Sequence, residues 1–155
     1  MITHLGRGLA SVLLVALCSA CSSFDARWKA AATSATATRW DGRWTSEHHQ
    51  TASGSPVGGR LRAVIEPAAG QGLAANLHAN WLLFASDYTM TFEPKTDGPR
   101  RANVREFSGT HELPKIFGGT YRYKARLAGD RLTARYTSSY DHGTFTLQRL
   151  VVAKD

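Results

Sequence analysis

Tyr121-Arg122-Tyr123-Lys124-Ala125-Arg126-Leu127-Ala128-Gly129-Asp130-Arg131-Leu132-Thr133-Ala134-Arg135-Tyr136 alternates in a two-residue period on both sides of a Gly-Asp pair. Tyr121, Tyr123, Ala125 and Leu127 fall on one face of an extended chain, with Arg122, Lys124 and Arg126 on the other. After the reversal, Leu132, Ala134 and Tyr136 repeat the pattern against Arg131, Thr133 and Arg135. The stretch reads as a β-hairpin, because glycine supplies the positive φ that a tight reversal needs. Asp141-His142-Gly143 reads as a second turn, leading into Phe145, Leu147, Arg149 and Val151.

The same period runs back towards the N-terminus. Tyr88, Met90 and Phe92 oppose Thr89, Thr91 and Glu93; Leu73, Ala75, Leu77 and Ala79 oppose Asn76, His78 and Asn80; Leu61, Ala63 and Ile65 oppose Arg60, Arg62 and Glu66. Trp40, Gly42 and Trp44 share a face at the start, and a segment from about Asn103 to His111 puts Phe107 on the side of Arg105 and His111. Trp81-Leu82-Leu83-Phe84 loses the alternation and reads either as a buried strand or as a short lid. The count is about eight strands with almost no helical stripe. Strands joined by near-neighbour turns bury one face by sandwiching or by curling into a closed antiparallel up-and-down barrel, and closure removes the exposed edges. The expected fold is therefore all-β, a single small barrel over residues 39–155. The polar faces carry Arg, Lys, Thr and Glu, so the barrel is expected to be soluble and not membrane-spanning.

The 155 residues leave room for one core, and a formal charge of +7 favours anionic partners. Residues 1–20 carry one fixed cation, Arg7, then an apolar run from Leu9 to Leu17 that is too short to span a bilayer, then small residues. With Ser19-Ala20-Cys21 this resembles a bacterial lipoprotein signal peptide, although Cys18 stands where that signal usually has an aliphatic residue. The resemblance implies cleavage before Cys21, lipidation there, and a mature chain without a disulfide. Ser22 after the lipid site implies an outer-membrane protein facing the periplasm. Residues 21–38, rich in Ala, Ser and Thr, read as a flexible tether in which a short helix from about Phe24 to Ala32 is the alternative.

Gly42-x-Trp44 on the first strand, with Arg149 on the last, resembles the lipocalin and wider calycin signature. There a Gly-x-Trp opens the barrel and an arginine from the final strand packs across the indole. Gly118-Gly119-Thr120-Tyr121 and the run from Tyr136 to Phe145 resemble small lipocalin-like bacterial envelope domains of unassigned function. The resemblance implies that Gly42, Trp44 and Arg149 close one end of the barrel. It also implies a small apolar or amphipathic ligand in the barrel, with Tyr88, Phe92, Tyr121, Tyr123 and Tyr136 lining the interior.

Catalytic patterns are absent from the sequence. It has no Gly-x-Ser-x-Gly elbow, phosphate loop or zinc-protease helix. The histidines are dispersed, so neither a metal site nor a cofactor is expected. His111 with Asp141 is the one acid/base pair that can be named, and no enzyme is expected. The rival to interior ligand binding is an interaction module with a filled barrel, whose outward Arg122, Lys124, Arg126, Arg131 and Arg135 meet anionic lipid headgroups beside the anchor. Nucleic acid is not an expected partner of an exported chain.

Overall fold

A computed structural model describes residues 24–81, 84–95 and 103–151. Eight antiparallel strands form a closed barrel in simple sequence order: β1 (Thr38–Gln50), β2 (Pro56–Pro67), β3 (Leu73–Trp81), β4 (Phe84–Pro94), β5 (Val104–Glu112), β6 (Thr120–Ala128), β7 (Arg131–Thr137) and β8 (His142–Arg149). The end at which β1 begins is termed the lower end. The expected parity holds on every strand the alternation covered. Trp40, Leu61, Leu77, Phe92, Phe107, Leu132, Phe145 and Leu147 point inward and are buried, interleaved with Ala63, Ala75, Ala125 and Ala134. Mixing large and small residues lets eight strands, which enclose a space about the width of a few side chains, fill it.

The clearest hairpin pairs as its pattern dictates, with Tyr123 opposite Tyr136 and Leu127 opposite Leu132. Gly129 turns it at φ 58°. The apolar patch at Trp81 lies partly on paired strands. Trp81 and Phe84 are the last pair of the β3–β4 hairpin, and Leu82 and Leu83 lie outside the described residues. Asp141-His142-Gly143 is also redistributed: the turn is Ser138–Asp141, closed by the Ser138 N–H on the Asp141 carbonyl at 2.8 Å, and Gly143 lies within β8.

One seam is weaker than the rest. The β5–β6 ladder runs continuously from Val104↔Ala128 to Glu112↔Thr120, whereas β4 and β5 are paired only at Glu93↔Ser108 and Pro94↔Phe107, extended by the Lys95 N–H on the Glu106 carbonyl.

Residues 24–37 do not behave as the expected coil. Residues 24–30 are helical, and Phe24 (2 % exposed), Ala31 and Ala37 are buried with Val64 on the outer face of β2, with Trp28 against them. Phe24 stacks on His78 of β3 with centroids 5.0 Å apart. The Arg62 guanidinium lies 5.1 Å from the Phe24 ring centroid and 5.3 Å from that of Trp28, and pairs with Asp25 at 3.6 Å. This strap buries the outward His78, whose Nδ1 is 2.5 Å from Asp87 Oδ1 on β4.

Candidate functional site

The interior aromatic residues are packed on one another. The rings of Phe92, Tyr121, Tyr123, Tyr136 and Phe145 form a chain of contacts with centroids 6.0 to 6.4 Å apart. Phe92, Tyr123 and Tyr136 are buried, while Tyr88 and Tyr121 are half-buried towards the upper end, where Tyr88 meets His111 at 5.4 Å. Burial pushes the hydroxyls of Tyr88 and Tyr123 well above the ordinary phenol range; burial and the Asp141 carboxylate do the same for Tyr136. These hydroxyls therefore remain protonated, and that of Tyr136 donates to Asp141.

Asp141 ties the upper end together. Its carboxylate accepts the Ser46 hydroxyl at 2.6 Å and the Tyr136 hydroxyl at 3.0 Å. Ser46 Oγ in turn accepts the backbone N–H groups of His48 and His49 at 3.1 and 2.7 Å. Both Asp141 oxygens are thus engaged by hydroxyls, which makes it a clamp between β1, β7 and β8; His111 contacts Tyr88 instead.

The expected closure by Trp44 and Arg149 takes a different form. Register places Arg149 opposite Trp40 and Phe145 opposite Trp44, so Arg149 lies four residues, about 13 Å of strand, from Trp44. Arg149 reaches Asp130 at 3.6 Å, and Trp44 donates its Nε1 to the Asn80 carbonyl at 3.2 Å. The inward tryptophan at the lower end is Trp40, 4 % exposed, and the cation over an aromatic ring there is Arg105, 5.0 Å from the Phe107 centroid. This also accounts for the odd parity of the fifth strand, since Arg105 needs an inner-side position at the rim to cover Phe107. Gly42 closes the β1–β8 seam by lacking a side chain: a Cβ there would lie 1.9 Å from the Thr146 carbonyl oxygen.

The five cations of the hairpin all face outward and are exposed. Lys124 is paired with Arg135 and Arg122 with Thr137, while Arg126 and Arg131 flank them towards the lower end. Arg135 is held by Glu47 at 3.0 Å. Among the described residues, no ion pair engages Arg122, Lys124, Arg126 or Arg131. The β6–β7 wall is four strands round the ring from β2–β3, on which the strap packs, so the two are on opposite sides of the barrel. The basic face is therefore turned away from the segment that leads to Cys21, not set beside it.

Cys21 lies outside the described residues. Among the described residues no cluster of three His, Cys, Asp or Glu side chains is arranged to hold a metal. Sequence reasoning missed Ser46, although extending the inner row Trp40, Gly42, Trp44 by one step reaches it and a buried hydroxyl requires a partner. It offered a helix from about Phe24 to Ala32 as the alternative to a coil but missed its docking on β2, although Phe24, Trp28 and Ala31 fall at helical i, i+4, i+7 spacing. No family model, curated protein or solved structure matches the chain.

Proposed function

We propose that the chain is a lipid-anchored protein of the bacterial cell envelope, in the outer membrane and facing the periplasm. In this reading its lipocalin-like barrel is a filled scaffold, and its working surface is the basic β6–β7 wall, which binds phosphate groups presented from outside the anchoring bilayer. The observation that carries this is the division of the hairpin. Tyr123, Ala125, Leu132, Ala134 and Tyr136 are buried in the packed interior, while Arg122, Lys124, Arg126, Arg131 and Arg135 are exposed on one side. An interior ligand would have to displace aromatic rings already in mutual contact, so the filled-barrel alternative is preferred to the interior-ligand expectation.

The strap supports the orientation. Phe24 is buried on the β2–β3 wall three residues after Cys21, and three residues span about 10 Å at most. An acylated Cys21 thus holds that wall near its bilayer and presents the opposite one outward.

The test uses the mature chain with Cys21→Ser, so that no lipid contributes. It should sediment with phosphatidylglycerol vesicles and not with phosphatidylcholine vesicles, the binding weakening as salt rises. A cation near an anionic surface contributes about 1 kcal/mol, so Arg126→Glu with Arg131→Glu should weaken binding by about 30-fold or more. Unchanged binding in the double variant would remove the wall from the account.

A further inference from the structure

The outer wall holds a built concavity beyond its charge. An open groove of about 870 Å³ crosses β4 to β7, within the size range of small-ligand sites. It sits where the β4–β5 ladder stops, above Glu93↔Ser108. Its lining includes Met90 and Tyr123 of the inward rows, and most of its outward residues fall into two rows set by register. The lower row runs Glu93, Ser108, Lys124, Arg135 across four strands. The next runs Thr110, Arg122, Thr137, with Thr91 across the seam.

The two rows differ chemically. In the lower row, Glu93 stands at one end and Arg135 is committed to Glu47, so a dianion there meets a carboxylate on either side. In the upper row a single guanidinium is flanked on both neighbouring strands by threonine hydroxyls, with Lys124 one rung below and no carboxylate in the row. A guanidinium presents paired N–H donors that match two oxygens of a phosphate, and hydroxyls both donate and accept. A trough with one fork for an anion and several hydroxyls around it suits a ligand that is itself part phosphate and part polyol.

We propose that this groove is a specific site for a phosphate monoester of a polyol, the phosphate on Arg122 and Lys124 and the ligand hydroxyls against Thr91, Thr110 and Thr137. The inference rests on the reading of the β6–β7 wall as a phosphate-binding face and adds to it a defined, saturable pocket. Such an ester occurs free or as the headgroup of a lipid in a facing surface, and both present the same chemistry to the groove.

The test is calorimetric titration of the mature Cys21→Ser chain with glucose 1-phosphate, glucose and inorganic phosphate in parallel. The ester should bind with one-to-one stoichiometry, at least about tenfold tighter than either fragment, since each fragment engages only half of the site. Arg122→Gln should weaken it at least about tenfold. Thr110→Trp, which fills the trough from an exposed strand position, should abolish it with the thermal midpoint unchanged. Vesicles carrying phosphatidylinositol 4-phosphate identify the source. Preference for them over phosphatidylglycerol vesicles of equal charge, lost in Thr110→Trp, supports a lipid headgroup; no preference, with the soluble ester still bound, supports a free ester. Failure of the ester to bind, inorganic phosphate binding equally well, or binding indifferent to Arg122→Gln and Thr110→Trp overturns the site. Arg126→Glu with Arg131→Glu lies outside the groove, so vesicle binding that depends on that pair alone preserves the basic wall while the pocket fails.

Discussion

Trp40→Ala is expected to destabilise the barrel by about 3–5 kcal/mol, the range for truncating a large buried aromatic side chain. Trp40 is 4 % exposed at the lower end of the interior, across β1 from Ala63 on one neighbour and Arg149 on the other. Its Nε1 also donates to Thr38 Oγ1 at 2.8 Å, and that hydroxyl donates to the Ile65 carbonyl. The cavity left by alanine therefore sits under the point where the last strand meets the first. Trp44→Ala should cost less, about 2 kcal/mol, because Trp44 is half-buried and the lost apolar area is smaller. Urea unfolding at constant m-value measures both. The reverse order of the two costs would return the architectural role to Trp44.

Asp141→Ala should cost about 3 kcal/mol. Two hydroxyls donate to this carboxylate, hydrogen bonds to a charged group contribute about 1.5–3 kcal/mol each, and Ser46 is only 1 % exposed, so its hydroxyl has no water to turn to. Asp141→Asn keeps an acceptor of nearly the same shape and should lose about half as much. A double-mutant cycle with Ser46→Ala separates the clamp from the turn: a coupling energy near zero would leave Asp141 as ordinary turn chemistry. Gly143 belongs to the same arrangement. A Cβ there would meet the Thr45 carbonyl oxygen at 2.1 Å and the Tyr136 hydroxyl at 2.6 Å, so the glycine lets β1 and the Tyr136 ring close over Asp141.

The barrel was legible because its strands are two-faced. Wherever Arg, Lys or Thr alternates with Tyr, Leu or Ala, as from Tyr121 to Tyr136, the pattern determines both pairing and inward face. Three features escaped for physical reasons. The strap was hidden because a polar, alanine-rich segment with two aromatics buries too little to fold alone; its partner is a patch on β2 and β3 that the chain brings together only after the barrel forms. The clue lay in β2, where Ala63-Val64-Ile65 breaks the alternation and puts Val64 on the outer face, a position that calls for a cover. The pairing of Trp44 with Arg149 failed because Gly42-x-Trp44 carries no information on which residue of β8 stands opposite; only register does, and it sets Phe145 opposite Trp44 and leaves Arg149 to reach Asp130. The groove was invisible because it arises from where one ladder ends. Thr91, Thr110, Arg122 and Thr137 each read as ordinary outward residues of separate strands, and their convergence depends on register and on where the β4–β5 ladder stops.

Together, strap and hairpin give the barrel a direction. Phe24 and Trp28 bind the N-terminal segment to one wall through apolar burial and the Arg62 guanidinium, while Arg122, Lys124, Arg126 and Arg131 are exposed on the opposite one. In the proposed function, this arrangement links the bilayer that would hold the N-terminus to phosphate on the far side.

That claim can be measured with mature chain lipidated at Cys21, enzymatically or through a maleimide lipid, and reconstituted into phosphatidylcholine vesicles. Light scattering then follows the addition of a second population containing phosphatidylglycerol. The account predicts capture of the anionic vesicles by the neutral ones, lost in Arg126→Glu with Arg131→Glu. Anionic vesicles that stay uncaptured while all five cations are intact, or capture that survives the charge reversal, would contradict it.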